Sequence, residues 1–194
     1  MAIVVSGVGS SVGTILTSGL ASSGARVVAI DSNAAATQKL AKTQPDLIEP
    51  LRLDVFDANH CDLVARSWEH EPLNALIHLQ ILEHPQQPNL VIRSIAMLTQ
   101  AFKAGLAAAK GQVLFMAPPM DEDPKSQNFA KAYSRLMRAL MMDFDEEGVA
   151  VNGIRLPMQG MPAVGQDALL NRVNSLLDPS AARISGAILP LIPR

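Results

Sequence analysis

Short segments that are apolar at every position alternate along this chain with segments of helix length. A strand that is apolar throughout indicates burial on both faces, which is typical of a parallel sheet covered by helices on each side. Right-handed crossovers through those helices then give a doubly wound sheet. We therefore predict a Rossmann-type α/β fold, a three-layer sandwich around a seven-stranded parallel sheet. Its predicted strands are residues 3–5, 27–30, 51–55, 73–79, 111–116, 149–156 and 184–189, and its predicted helices are residues 11–23, 34–42, 57–70, 88–110, 124–147 and 165–177.

The length and charge of the chain limit its organisation and its partners. Its 194 residues are enough for one domain, which we expect to span residues 1–194. With 16 Lys plus Arg against 18 Asp plus Glu, the formal net charge is −2. Nucleic acids and anionic membranes are bound by basic proteins, so we expect neither as a partner.

The cysteine content and the start of the chain indicate the compartment. Cys61 is the only cysteine, which excludes an internal disulfide and a cysteine-cluster metal site. The first basic residue is Arg26, so the apolar start has no charged region of the kind that begins a signal peptide. No apolar run approaches the length of about 18 residues that a membrane-spanning helix needs. We expect a cytoplasmic protein.

The first predicted strand runs directly into a glycine-rich turn that opens the first predicted helix. Small residues in such a turn let backbone N–H groups approach a pyrophosphate at the N-terminus of the helix. This order of strand, turn and helix is the one that a dinucleotide-binding fingerprint requires. We therefore assign cofactor contacts to Gly7, Gly9, Ser10, Ser11, Val12 and Gly13.

Carboxylates end the next two predicted strands. Asp31 ends the second strand, where its side chain can bind both ribose hydroxyls of NAD and would repel the 2′-phosphate of NADP. Asp54, which Val55 follows, ends the third strand, where a carboxylate can reach an adenine amino group. In the alternative interpretation, the glycines only form a tight turn and Asp31 caps the helix that begins at Ala34.

Several segments resemble motifs of the short-chain dehydrogenase/reductase family. Residues 6–13 are similar to its Thr-Gly-x-x-x-Gly-Ile-Gly turn, with Ser11 in place of the middle glycine, and residues 53–57 are similar to its Asp-Val segment. Residues 148–154 resemble its Gly-Ile-Arg-Val-Asn-x-Val strand. The resemblance covers nearly the whole chain and implies the doubly wound fold and a nicotinamide dinucleotide, here NAD. Further matches are residues 98–101, 111–113 and 184–186, and the resemblance also implies cofactor contacts from Leu79 and Gln80.

The resemblance fails at the residues that carry the family's chemistry. Members of the family reduce carbonyls or oxidise alcohols with an Asn-Ser-Tyr-Lys tetrad, in which the lysine lowers the pKa of the tyrosine. No Tyr-x-x-x-Lys sequence occurs in this chain, and Ile81 replaces a glycine that lets the cofactor lie close to the backbone. Counting from the matched segments places Val91, Pro118, Ser126 and Ala130 at the Asn, Ser, Tyr and Lys positions.

Three other side chains are candidates for acid/base chemistry in an enzyme with a different catalytic set. Tyr133 follows Ser126 by about two helical turns on the same face. His78 and His84 bracket the end of the fourth predicted strand, near the expected position of a substrate. Without such a role, Tyr133 is a packed or interface residue and the histidines are structural.

We expect no metal site in this chain. His60 and His70 lie on one predicted helix with Cys61, but their spacing does not form an i, i+4 ligand pair. The acidic residues 121–123 precede Pro124, where carboxylates suit the N-terminus of a helix. Family enzymes insert a helical lid after the sixth strand, whereas only a short segment containing Met158, Met161 and Pro162 is present here.

Three hypotheses about function follow. The first is a catalytically inactive protein of the short-chain dehydrogenase type that serves as an NAD-binding sensor or an oligomer subunit. The second is an NAD-dependent oxidoreductase of that family with non-standard catalytic residues, and the third is a structural partner with an empty nucleotide site. We expect a homo-oligomer, a dimer or tetramer, or a complex with a related subunit, through helices 88–110 and 124–147. The second helix carries Leu136, Met137, Leu140 and Met141, an apolar stripe suited to the core or to that interface.

Overall fold

The computed structural model describes residues 1–68, 71–119, 123–144, 146–157, 166–178, 180 and 183–191. Several residues considered above lie outside this part of the chain, namely His70, Asp121, Glu122, Met158, Met161 and Pro162.

Seven parallel strands form one sheet in the order β3-β2-β1-β4-β5-β6-β7. The predicted Rossmann-type fold with a seven-stranded parallel sheet is therefore confirmed. The strand order reverses between β1 and β4, where Ser6 of β1 lies opposite His78 of β4. In doubly wound sheets, the crevice at this switch point is where ligands bind. The strands are β1 (Ala2–Ser6), β2 (Arg26–Asp31), β3 (Ile48–Arg52), β4 (Ala75–His78), β5 (Gln112–Ala117), β6 (Ala150–Arg155) and β7 (Ile188–Pro190).

Helices cover both faces of the sheet, and a short 3₁₀ turn over Gln80–Leu82 follows β4. Asp57 caps the third helix, because its side chain accepts a hydrogen bond from the Asn59 N–H at 2.9 Å. The helices are α1 (Ser11–Ser22), α2 (Ala34–Ala41), α3 (Ala58–Ser67), α4 (Pro88–Ala101), α5 (Lys103–Ala109), α6 (Pro124–Asp143) and α7 (Gln166–Leu177).

The helix predicted over residues 88–110 is in fact two helices, α4 and α5, which meet at an angle of 61°. Phe102 lies at the break, fully buried, with its ring against the edge of Trp68 at 5.0 Å. The bend brings Gly105 against the chain that enters β4, so that the Leu73 N–H donates to the Gly105 carbonyl at 2.9 Å. A Cβ at Gly105 would lie 2.6 Å from the carbonyl oxygen of Glu71, so only glycine allows this approach.

Two strands at the sheet edges lie elsewhere than predicted. The third strand occupies Ile48–Arg52 rather than residues 51–55, because it pairs with β2 through Pro50, a residue that an edge strand tolerates. The last strand starts at Ile188 rather than residue 184, because Gly186 adopts a positive φ of 83° and turns the chain before the strand begins. The sixth helix ends at Asp143 and not at residue 147.

In the described ranges, no single helix is long and apolar enough to cross a membrane, although the bent pair α4 and α5 would pass that test jointly.

Asn152 ties the turn before β7 to the middle of the sheet. It is fully buried in β6, and its Nδ2 donates to the Ile184 carbonyl at 2.7 Å. Its Oδ1 accepts from the Ala187 N–H at 3.2 Å. Since buried polar groups need partners, this one amide satisfies two backbone groups that would otherwise be unpaired.

We expect Asn152→Ala to lower the free energy of unfolding by about 2 kcal/mol, because it removes both hydrogen bonds between a fully buried amide and the turn before β7. Gln100→Ala is the matched control, since it removes an exposed amide hydrogen bond to Asp143 (2.8 Å) and should cost about 0.5 kcal/mol or less. Urea denaturation measures both. Equal losses for the two variants would contradict the role given to Asn152.

Candidate functional site

The glycine-rich turn joins β1 to α1 at the switch point of the sheet. Gly7 has a φ of +80°, and a Cβ there would lie 2.9 Å from the backbone nitrogen of Gln80. A Cβ at Gly13 would lie 2.7 Å from the carbonyl oxygen of Gly7. Both glycines are therefore needed for the packing of the turn itself, against the segment after β4 and against the first turn of α1.

Ser10 caps α1, and its hydroxyl accepts a hydrogen bond from the Gly13 N–H at 3.0 Å. Ser11 is exposed and Val12 half-buried in the first helical turn, which contains no acidic residue. The N-terminus of a helix carries a partial positive charge and unpaired N–H groups. This end of α1 therefore favours an anion that comes from elsewhere.

Asp31, at the end of β2, is 7% exposed and braces the glycine-rich turn. Its carboxylate accepts hydrogen bonds from the Gly9 N–H at 2.8 Å and from the Asn33 N–H at 2.9 Å. The cap of α2 is Asn33, whose side chain accepts from the N–H groups of Ala35 and Ala36, so the alternative of Asp31 as that cap is wrong. The predicted proximity of Asp31 to the turn is present in the structure.

Asp54 and Val55 follow β3 and line the same cleft as Asp31. The Asp54 carboxylate accepts a hydrogen bond from the Phe56 N–H at 2.9 Å. The cavity between these residues measures about 20 Å³. That is room for about one water molecule, since one water needs about 10–15 Å³.

Glu83 is the functional candidate that the sequence did not suggest. It follows the 3₁₀ turn after β4, and its carboxyl lies against the Asp31 carboxyl and the backbone N–H groups of Gly9 and Ser10. Burial, followed by the charge of Asp31, raises the pKa of Glu83. No spacing pattern links positions 9 and 83, so only the fold could reveal this contact.

His78, Gln80, Ser6 and Thr99 form a fully buried polar network beneath the turn. The Gln80 amide nitrogen lies 3.2 Å from His78 Nδ1, and His78 Nε2 lies 3.0 Å from the Thr99 hydroxyl. Burial lowers the pKa of His78 to about 3. A neutral ring with both nitrogens engaged holds the end of β4 in place and does not suit proton exchange with a ligand.

Leu79 and Gln80 are also buried, and they contact the turn through its Gly7. His84 differs from His78 because it is half-buried at the cleft, with its ring 4.9 Å from that of Phe56 in an edge-to-face contact. This aromatic pair fills space beside Asp54.

Tyr133 lies in the core and not at the cleft. It is completely buried in α6, with its ring 5.9 Å from that of Phe115. Its hydroxyl has no hydrogen-bond partner in the described part of the chain, and burial raises its pKa. A raised pKa is the opposite of what an acid/base tyrosine needs, so the structure places Tyr133 as a packed residue.

The four positions matched to the tetrad hold side chains of other chemistry. Pro118 directly follows β5, and Val91 and Ala130 are buried in α4 and α6. Ser126, in the first turn of α6, donates its hydroxyl to the Pro119 carbonyl at 3.1 Å. None of the four matches the amide, hydroxyl, phenol and ammonium of the motif.

The cleft has polar groups of the kind that bind a nicotinamide dinucleotide, but it does not have the volume to hold one. The N-terminus of α1 and the Asp31 carboxylate are of the right kind. However, the Glu83 carboxyl lies over the turn at Gly9 and Ser10, and the cavity beside Asp31 and Asp54 is about 20 Å³. Among the described residues, the space beside Asp31 and Asp54 is therefore too small for the adenosine part of the cofactor in this conformation.

The described residues contain no group of three or more His, Cys, Asp or Glu side chains suited to a metal ion. Cys61 is buried in α3, with its sulfur 3.8 Å from the Val55 carbonyl oxygen. Burial and neighbouring aspartates raise the pKa of its thiol to about 11, so this cysteine is a packed residue.

We expect Tyr133→Phe to raise the free energy of unfolding by about 1 kcal/mol, because a buried hydroxyl without a partner is removed. Tyr133→Ala is the control and should lower it by about 3–5 kcal/mol through the cavity it creates. Thermal and urea unfolding measure both variants. A less stable Tyr133→Phe protein would mean that the hydroxyl makes a favourable interaction.

No protein-family model matches this sequence, and no curated protein matches it. Solved structures do match its fold. A metagenomic short-chain oxidoreductase in complex with NADP is 18% identical with a TM-score of 0.73, over 97% of this chain and 96% of that one.

Two further enzymes agree over similar lengths. A hydroxysteroid dehydrogenase from Escherichia coli is 19% identical with a TM-score of 0.78, over 97% of this chain and 94% of that one. A 3-ketoacyl-(acyl-carrier-protein) reductase from Brucella melitensis, complexed with NADH, is 15% identical with a TM-score of 0.77, over 97% and 95%. Together with the strand order and the glycine-rich turn at the switch point, these matches establish that the chain has the fold of the short-chain dehydrogenases/reductases.

Proposed function

We propose that this chain is a non-catalytic member of the short-chain dehydrogenase/reductase family, a protein that acts by binding. The observation that carries the proposal is that the side chains at the four tetrad positions differ from those of the motif. Reduction of a carbonyl or oxidation of an alcohol needs a group that exchanges a proton at the reacting oxygen, with a pKa near the working pH. Val91, Pro118 and Ala130 have no such group.

The hydroxyl at position 126 does not replace the missing tyrosine. It is bonded to the Pro119 carbonyl, and the lysine position beside it, Ala130, provides no charge that would lower a neighbouring pKa. An alternative catalytic set would depend on His84, because Tyr133 and His78 are buried away from the cleft. These observations favour the inactive protein over an oxidoreductase with non-standard residues.

The ligand we assign to the cleft is NAD rather than NADP, held as a regulatory ligand and not as a hydride carrier. Asp31 supports this choice, since a carboxylate at the end of β2 accepts hydrogen bonds from two ribose hydroxyls and repels a 2′-phosphate. The closed conformation of the cleft means that NAD enters only when Glu83 has left the turn.

We expect no turnover of NAD, NADP or their reduced forms with a broad panel of alcohols and carbonyl compounds, as followed by the absorbance of the reduced nicotinamide. A short-chain dehydrogenase with an intact tetrad serves as the positive control for the panel. Turnover that survives repeated purification and is abolished by His84→Ala would overturn the proposal and identify a non-standard enzyme.

Self-association through α4 and α6 is part of the proposal. Of the predicted apolar stripe on α6, Leu136 and Leu140 belong to the chain's own core, whereas Met137 and Met141 are half-buried. Met142 is 75% exposed on the same helix. Both helices also carry exposed positive charges, which come from Arg93 of α4 and from Lys131, Arg135 and Arg138 of α6.

We expect a dimer whose affinity rises with salt, because a two-fold contact brings like charges of the two copies together and salt screens them. Arg135→Glu should strengthen association at low salt by placing a carboxylate against the partner's cations. Arg66→Glu, on the exposed side of α3, is the control and should have no effect. Sedimentation velocity at two salt concentrations measures all three proteins, and a monomer under every condition would contradict the expectation.

A further inference from the structure

The contacts of Glu83 place a carboxyl where a bound phosphate would meet the glycine-rich turn. The carboxyl lies against the backbone N–H groups of Gly9 and Ser10, at the N-terminal end of α1. Backbone N–H groups at such an end, together with the helix dipole, are the usual binding site for an anion in proteins. Here the anion-type ligand is a side chain of the same molecule.

Gly9 makes this arrangement possible. A Cβ on Gly9 would lie 2.7 Å from Glu83 Oε1 and 3.0 Å from Asp31 Oδ2. The two carboxyls therefore meet over Gly9, a position of the turn where a side chain is absent. The glycine that would admit a pyrophosphate in a dinucleotide site here admits two carboxyl groups.

The segment that presents Glu83 is fixed by its own packing. Ile81 is 3% exposed and Gln80 is 2% exposed, so the 3₁₀ turn that precedes Glu83 is anchored in the interior. The Glu83 N–H donates to the Gln80 carbonyl at 3.2 Å, which continues the turn to Glu83 itself. The Glu83 carboxyl thus reaches the turn at Gly9 and Ser10 from a packed segment and not from a free loop.

Two carboxylates in contact repel each other unless one of them holds a proton. Burial, followed by the charge of Asp31 and its side-chain contact, raises the pKa of Glu83, which favours a proton on Glu83. The other titratable groups that line the cleft are Asp54, after β3, and His84, next to Glu83 on the chain. Three carboxyls and one imidazole therefore surround a cavity with space for about one water.

We infer that Glu83 is an internal ligand of the glycine-rich turn and closes the cleft to dinucleotides. The inference deepens the proposed function and rests on it. A protein that does not oxidise and reduce a cofactor can keep its own side chain at the site on the glycine-rich turn where a cofactor phosphate would bind. Glu83 then determines whether any nucleotide binds, and Asp31 determines which one. The closed state is the ground state of the protein, and removal of the Glu83 carboxyl opens it.

Binding of NAD and of ADP-ribose by isothermal titration at neutral pH tests the inference, with the full-length protein throughout. We expect Glu83→Ala to bind both ligands at least about tenfold more tightly than the wild type. Glu83→Gln should stay closed, because its amide can donate to Asp31 and accept from the same N–H groups. Adding Asp31→Ala to Glu83→Ala should lose the gained affinity for NAD, which locates the ligand in this cleft.

Glu146→Ala, which removes an exposed glutamate in the turn between α6 and β6, is the control and should bind as the wild type does. The inference is overturned if wild type and Glu83→Ala bind equally well, or if neither binds. ADP-ribose has no nicotinamide and cannot take part in hydride transfer, so its binding is independent of the turnover assays. A failure of the inference is thereby distinguished from a failure of the proposed function.

The pH dependence of stability is a second readout that needs no ligand. Because the fold raises the pKa of Glu83, the protonated pair contributes its full stability below the ordinary glutamate pKa and loses it as the pH rises through the raised value. Glu83→Gln can keep the same contacts without titrating. The difference between its melting temperature and that of the wild type should therefore shift in favour of the variant as the pH increases. Parallel melting profiles for the two proteins would overturn the proton-sharing contact.

Discussion

The positive N-terminal end of α1 is the constraint on which the rest of this cleft depends. A helix that begins at the switch point presents unpaired N–H groups to a crevice, and its first turn has no acidic residue to compensate them. An anion must therefore come from another element. Asp31 comes from the end of β2 and Glu83 from the segment after β4, and both converge on Gly9. The same electrostatic demand that suits a cofactor phosphate is met here by side chains.

Local sequence was enough to predict the elements around the turn, because their signals are short-range. Apolar runs bounded by glycine place β1 and β2 within about one residue of their observed ends, and serine and glycine mark the limits of α1. The break at Phe102 was not predictable in this way, since the periodicity of α4 continues into α5. What ends α4 is a tertiary contact, the Phe102 ring against Trp68. The edge strand β3 was misplaced for a related reason, since its pairing with β2 tolerates Pro50.

Some residues of the candidate site could be predicted from local sequence, and one could not. Gly7, Gly13 and Asp31 were predictable because strand, turn, helix and strand follow one another along the chain and return to one edge of the sheet. Glu83 belongs to a segment that reaches the turn only after β4 has been inserted beside β1. A sequence motif records which residues stand near one another along the chain, and it holds no information on which distant carboxyl will occupy the space above a glycine.

The substitutions in the cleft are physically connected to one another. Ile81 and Gln80 bury the 3₁₀ turn against Gly7, which fixes the backbone that carries Glu83. Phe56 and His84 then pack against each other beside Asp54, at the edge of the same cleft. Burying two carboxyls is unfavourable unless they share a proton and accept hydrogen bonds, and the N–H groups of Gly9 and Ser10 meet the second condition. The proposed absence of hydride transfer agrees with the closed cleft, because a protein that transfers no hydride needs no open cofactor site.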